Sequence, residues 1–180
     1  MLRERVGSPV SIASMARDLQ VSPTTLAKYF DILEALYVVF PVRPYHRNIA
    51  RAILKEPKIY FFDTGLVAGG DGPRLENACA TMLLKHVHYM QDVEGRKLSL
   101  HYIRDKEQRE IDFVVCENGA PIGLAECKVA DPGVSPFFAT LAARFPRAGA
   151  VQLVRDLRQP EQRGRIAVEV AADWLNGLAA

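Results

Sequence analysis

Apolar positions change period several times along this chain, and each change marks an element. Ile12, Met15, Ala16 and Leu19 recur at helical spacing, which predicts a helix over residues 11–19. Ser22 followed by Pro23 is a helix-start pair, and Leu26, Tyr29, Phe30, Leu33 and Leu36 carry a second helix from Pro23 to about Leu36. Residues 37–42 and 58–63 then read as strands on either side of a basic loop. Gly69, Gly70 and Gly72 interrupt all periodicity, so residues 67–73 are a linker. From Pro73 the period is helical again, with Leu75, Ala78, Cys79, Met82, Leu83 and His86 in one stripe. Residues 98–104 alternate as a strand. Two further apolar runs, joined by Glu117-Asn118-Gly119, form the strongest hairpin signal in the chain. Ser135-Pro136 opens a helix to about Phe145, residues 148–154 form an apolar strand, and residues 155–164 read as a polar surface loop. Ile166 to Val168 and an amphipathic helix holding Ala171, Trp174, Leu175 and Leu178 complete the order.

The pattern predicts a mixed α/β protein in two parts: a winged-helix domain over residues 1–66 and an αβββαβ domain over residues 74–180. The first part is the basic one. Residues 1–58 hold nine Lys/Arg against five Asp/Glu, and the remainder holds fourteen against sixteen. Ser22, Thr24, Thr25 and Lys28 form the polar face of the second helix. The predicted wing carries Arg43, Arg47, Arg51, Lys55 and Lys58 around a single acid, Glu56. Cations so spaced neutralise phosphates, which makes Thr24, Thr25, Lys28, Arg43, Arg47 and Arg51 the candidate nucleic-acid contacts.

The second part places charges where a core prefers none. Strand alternation projects Asp112 opposite to Ile111 and Phe113, while Glu126 and Lys128 share a face and Cys127 points away. Unpaired buried charge is costly, so such groups serve one another, a metal or a substrate. Glu76, on the flank of the long helical stripe, is positioned to reach over the sheet edge. Asp63-Thr64-Gly65 matches an aspartic-protease triplet in form but occurs once, and reads instead as a turn or helix cap.

Asp112 followed by Glu126-Cys127-Lys128 on the next strand resembles the PD-(D/E)XK nuclease pattern. The order αβββαβ, with Glu76 on its first helix, resembles the core of that fold. More widely, Val21-Ser22-Pro23-Thr24-Thr25-Leu26, residues 58–66, Leu75-Glu76-Asn77, residues 110–114 and Glu126-Cys127-Lys128 resemble the C-terminal half of prokaryotic AAA-type P-loop ATPases. There a winged helix precedes a restriction-endonuclease-like domain of uncharacterised function. The resemblance implies Mg²⁺ or Mn²⁺ held by Glu76, Asp112 and Glu126, with Lys128 orienting water or steadying charge on a phosphate. Together these four are the candidate catalytic residues, with DNA as substrate or ligand. It also implies a P-loop ATPase domain or subunit as partner. The chain has no G-x-x-x-x-G-K-[ST] loop, so the ATPase role does not carry over.

Two readings stay open: a metal-dependent phosphodiesterase that cleaves DNA, and a non-catalytic DNA-binding or protein-interaction module serving a P-loop ATPase. A homodimer is compatible with either. No apolar run reaches the roughly 18 to 20 residues of a membrane span, and Met1-Leu2-Arg3-Glu4-Arg5 does not start a signal peptide. The expected location is the cytoplasm. Cys79, Cys116 and Cys127, an odd set without CxxC spacing, read as reduced thiols rather than disulfides or zinc ligands.

Overall fold

The computed structural model describes residues 1–46 and 56–178. Arg47, Arg51 and Lys55 of the basic loop lie outside the described residues. Eight strands form one mixed sheet in the order β2-β1-β3-β4-β5-β6-β8-β7. In chain order the elements are α1 (Ile12–Asp18), α2 (Pro23–Ala35), β1 (Val39–Pro44), β2 (Lys58–Phe61), α3 (Asp71–Glu94), β3 (Leu98–Arg104), β4 (Glu110–Glu117), β5 (Ala120–Lys128), α4 (Pro136–Arg144), β6 (Gly149–Val154), β7 (Glu161–Arg163), β8 (Ile166–Val170) and α5 (Ala171–Asn176). The mixed α/β class read from the periodicity is the one observed.

Local chemistry sets the boundaries. Ser11, Ser22 and Ser135 each accept a backbone N–H through the side chain and so cap α1, α2 and α4. Asn118 and Gly119 turn β4 into β5 with φ of 49° and 78°, the two positive values a type I′ turn needs. Asp63 Oδ1 accepts from the Gly65 N–H at 2.8 Å, which makes the Asp-Thr-Gly triplet a turn.

Three elements depart from the periodicity reading. Helix α3 begins at Asp71, inside the glycine-rich stretch, and runs 24 residues. Residues Glu161–Arg163 are an edge strand inside the expected loop; exposed on its outer side, β7 needs no apolar alternation. Helix α2 buries only Leu26, leaving Tyr29 and Leu36 in solvent although they share its apolar spacing.

The hairpin β1–β2 pairs antiparallel and then joins β3 in parallel, so the first 66 residues extend the same sheet that β3 to β8 build. Helices α3 and α5 cover one face, with Cys79, Ala80, Leu83 and Leu175 packed on Tyr60, Phe113, Ala125 and Leu153. Helix α4 covers the other through Phe138 and Leu141 against Ile111, Val114, Leu124 and Ile166. All three cysteines are free, and Cys79 and Cys116 are buried, in line with the reduced thiols read from their spacing.

Candidate functional site

The charged centre forms where β2, β4 and α3 meet, and its hub is Lys58. By sequence this lysine belongs with the wing cations; in the fold it is 0% exposed. Strand alternation explains the difference. Lys58 and Tyr60 share a face of β2, and that face is the one α3 covers.

Lys58 Nζ donates to Glu76 Oε1 and to Glu110 Oε1, each at 3.1 Å, and lies 3.8 Å from Asp112 Oδ1. The Tyr102 ring stands 5.4 Å from the same ammonium. Tyr60 Oη donates to Glu76 Oε1 at 2.6 Å. Burial alone works to lower the pKa of Lys58, but the charges of Glu76, Asp112 and Glu110 outweigh it and raise the value, so the lysine is a permanent cation.

Glu76 arrives because Asn77 anchors its helix. The Asn77 side chain accepts from the Phe61 N–H at 2.8 Å and donates to the Phe61 carbonyl at 2.9 Å and to Thr64 Oγ1 at 3.0 Å. It thereby treats the edge of β2 as a neighbouring strand would. From the other side Gly7, at φ 78°, passes so close to Glu76 that a Cβ there would lie 2.5 Å from Oε2. Only glycine fits that approach.

Asp112 owes its position to a β-bulge. Simple alternation predicts Ile111 and Phe113 on one face, yet Ile111 packs with α4 and Phe113 with α3. The β3–β4 register runs His101 to Val114 and then Ile103 to Ile111, so Asp112 and Phe113 together oppose Tyr102. Such an extra residue re-aims side chains. The Cys127 N–H, which strand pairing would otherwise satisfy, donates instead to Asp112 Oδ2 at 2.8 Å.

Glu126 and Lys128 pair with each other at 3.0 Å between Oε1 and Nζ. Ala125 and Cys127 pack on the α3 side, so alternation directs Glu126 and Lys128 to the α4 side. The expected foursome is therefore divided: Glu76 with Lys58 on one face, Glu126 with Lys128 on the other, and Asp112 at the bulge between them. Glu126 Oε2 is buried without a hydrogen-bond partner, as is Gln152 Oε1, and the two residues are register partners on β5 and β6. Sequence reasoning missed Lys58, Tyr60, Asn77 and Glu110. All four lie within the stretches that carry the family resemblance, and Lys58, at the start of an apolar run, also carried a signal in the residue pattern.

Among the described residues, no three His, Cys, Asp or Glu side chains are grouped to hold a metal ion. The Lys58 ammonium lies where Glu76, Glu110 and Asp112 converge. In this arrangement the side chains do not fit the divalent cation that the resemblance implies. A polar cavity of about 780 Å³, lined by Gly7, Tyr102, Arg104 and Glu110, opens beside the cluster.

Glu76, Asp112 and Glu110 crowd around this ammonium, with the Arg104 guanidinium 3.9 Å from Glu110, and burial raises the pKa of both Glu76 and Asp112. Burial first, then Asp112, raises the Glu76 pKa to about 7, against the lowering pull of Lys58 and Tyr60. Asp112 is also raised, chiefly by burial. The consequence for stability has a definite sign. The folded-state pKa of Glu76 lies above the ordinary 4.5, so its proton stabilises the fold fully below 4.5, and that contribution is lost as pH rises through about 7. Urea midpoints should therefore fall between about pH 5 and pH 8, by up to about 1.4 kcal/mol per pH unit, and Glu76→Gln should flatten the profile. A wild-type midpoint that rises over this range would mean that Glu76 is ionised throughout.

Of the predicted nucleic-acid contacts, Thr24, Thr25, Lys28 and Arg43 are among the described residues. Thr24, Lys28 and Arg43 are exposed. Thr25 is committed to the helix cap, its N–H donating to Ser22 Oγ at 3.0 Å and its hydroxyl lying 2.8 Å from the same oxygen. No helix among the described residues is long and apolar enough to cross a membrane.

Comparison with known proteins places the sequence. Residues 1–70 match the profile of a domain of unknown function, DUF8612, and residues 71–172 match that of another, DUF4143. An uncharacterized protein of Mycobacterium bovis and one of Mycobacterium tuberculosis are each 30% identical over 145 residues, or 75% of this chain and 32% of the relative. The chain thus spans about a third of the length of the curated relatives it matches. No solved structure matches it. Since the second profile covers more than half of the residues, the chain belongs to the DUF4143 family.

Proposed function

We propose that this chain is a non-catalytic interaction module that serves a P-loop ATPase, with a nuclease-like core retained as scaffold. The observation that carries the reading is Lys58: its buried ammonium takes the place among Glu76, Glu110 and Asp112 that a catalytic cation would need. A network closed in this way holds α3, β2 and β4 in register and leaves Lys128 bound to Glu126.

The docking surface is on α2. Tyr29, Ile32 and the C-cap Leu36, at i, i+3 and i+7, form a single exposed stripe, and Tyr37 beyond the helix end is 74% exposed. Duplex DNA is met by cations and hydrogen-bonding groups, whereas a row of large apolar side chains suits a protein partner. Tyr37 holds φ 55° and meets the Phe62 ring edge-on at 5.6 Å, which fixes its exposed ring beside the stripe. About two thirds of each mycobacterial relative lies outside the match, room enough for the P-loop domain that the resemblance implies.

The orphaned Glu126 Oε2 supports a second reading, a divalent-cation-dependent phosphodiesterase. Calorimetry with Mn²⁺ separates the two. The module reading expects no Mn²⁺ binding and no cleavage of branched, nicked or linear DNA. Binding and cleavage that both vanish in Asp112→Ala would replace it with the second. Docking is tested with Ile32→Glu/Leu36→Glu, which should abolish association with a purified P-loop partner while Tm stays unchanged.

A further inference from the structure

A second cavity, of about 890 Å³, opens on the sheet away from Lys58, between the end of β1, the start of β3, the β4–β5 turn and the end of α4. Arg43, Arg144 and Arg147 stand around it, and no carboxylate is among the described residues that line it. None of the three arginines makes an ion pair with a carboxylate among the described residues, whereas Arg96, Arg109, Arg155 and Arg163 all do. Like charges gathered without counter-charge repel one another, and an anion placed between them relieves that cost. The guanidinium fork matches the tetrahedral oxygens of a phosphate.

The rest of the wall is aromatic. Tyr45 and Phe145 meet edge to face with centroids 6.2 Å apart and planes at 90°. Tyr45 is fixed by its hydroxyl, which donates to the Gly119 carbonyl at 3.3 Å, and by the His101 ring at 6.2 Å. The Arg144 guanidinium lies 6.0 Å from the Phe145 ring centroid, so aromatic rings and arginines without a carboxylate partner stand together, the pairing that takes a planar base together with its phosphate.

We propose that this cavity binds a nucleoside phosphate, with the phosphate against Arg43, Arg144 and Arg147 and the base against Tyr45 and Phe145. The site is independent of the Lys58 network and of the α2 stripe, so it stands or falls apart from the module reading. A free nucleotide and a nucleotide within a single strand offer the same chemistry, and the experiment distinguishes them.

The full chain is titrated at low salt with thymidine monophosphate, with a short oligothymidylate and with inorganic phosphate. Thymidine monophosphate should bind more tightly than inorganic phosphate. An oligothymidylate that binds tighter still assigns the site to single strands, and equal affinities assign it to free nucleotides. Arg144→Ala/Arg147→Ala should weaken nucleotide binding by about tenfold or more with Tm unchanged, since both side chains are exposed. Tyr45→Leu should weaken the nucleotide while leaving inorganic phosphate unaffected. The proposal is overturned if neither nucleotide nor oligomer binds below about 1 mM, or if the double arginine variant binds as the wild type does.

Discussion

Lys58→Met will destabilise the fold by about 3–5 kcal/mol, the cost of removing one partner from a buried ion pair and leaving the others uncompensated. The methionine keeps most of the lysine's volume, so a cavity does not explain the loss. What remains is Glu76 and Asp112 without the ammonium between them, and Glu110 with only the Arg104 guanidinium, 3.9 Å away. For a chain of this size, that loss corresponds to a fall in Tm of roughly 10 °C or more. Lys58→Met/Glu76→Gln should recover part of the stability, because one of the repelling charges has been removed as well. Urea denaturation of the four members of this cycle measures the coupling directly. A single variant within about 1 kcal/mol of wild type, or a double variant no better than the single, would mean that the ammonium is not the hub of the network.

Asn77→Ala should cost about 1–3 kcal/mol, by a different route. Truncation leaves the Phe61 N–H, on the edge of the sheet, without its acceptor, and leaves the Phe61 carbonyl with only the Thr81 hydroxyl, at 3.3 Å. Unsatisfied buried groups of this kind cost about 1–3 kcal/mol each. Because Asn77 is 0% exposed, water does not replace it. Asn77→Asp makes the cause visible: the carboxylate still accepts from the Phe61 N–H but no longer donates to its carbonyl. It should fall between wild type and alanine at neutral pH. Hydrogen exchange supplies the readout, with the Phe61 amide losing protection in the alanine variant. If protection is unchanged there, the side chain does not act as a surrogate strand.

These two residues show where sequence reading succeeds and where it stops. Serine caps, the Asn118-Gly119 turn and the alternation of β3 are local, and each was legible because the residues that cause the structure are neighbours in the chain. Glu76, Asp112, Glu126 and Lys128 were also legible as candidates, since charge inside apolar runs demands a partner. Who the partner is was not. The bulge at Asp112 depends on how β3 and β4 register, which no spacing within β4 records. The burial of Lys58 depends on α3 crossing the face of β2, whereas its place in the sequence, next to the basic loop, groups it only with the wing cations.

Amino-acid order alone determined most of the helices and strands, though not β7 or the start of α3, together with the mixed α/β class, the hairpin and the candidates Glu76, Asp112 and Glu126. Tertiary structure alone decided that a lysine from the first hairpin stands among two of those carboxylates and Glu110, and that Glu126 and Lys128 face the other side of the sheet. The reason is one of range. Capping, turns and alternation act over a few residues, whereas the balance of buried charge is struck between strands and helices that meet only when the chain has folded.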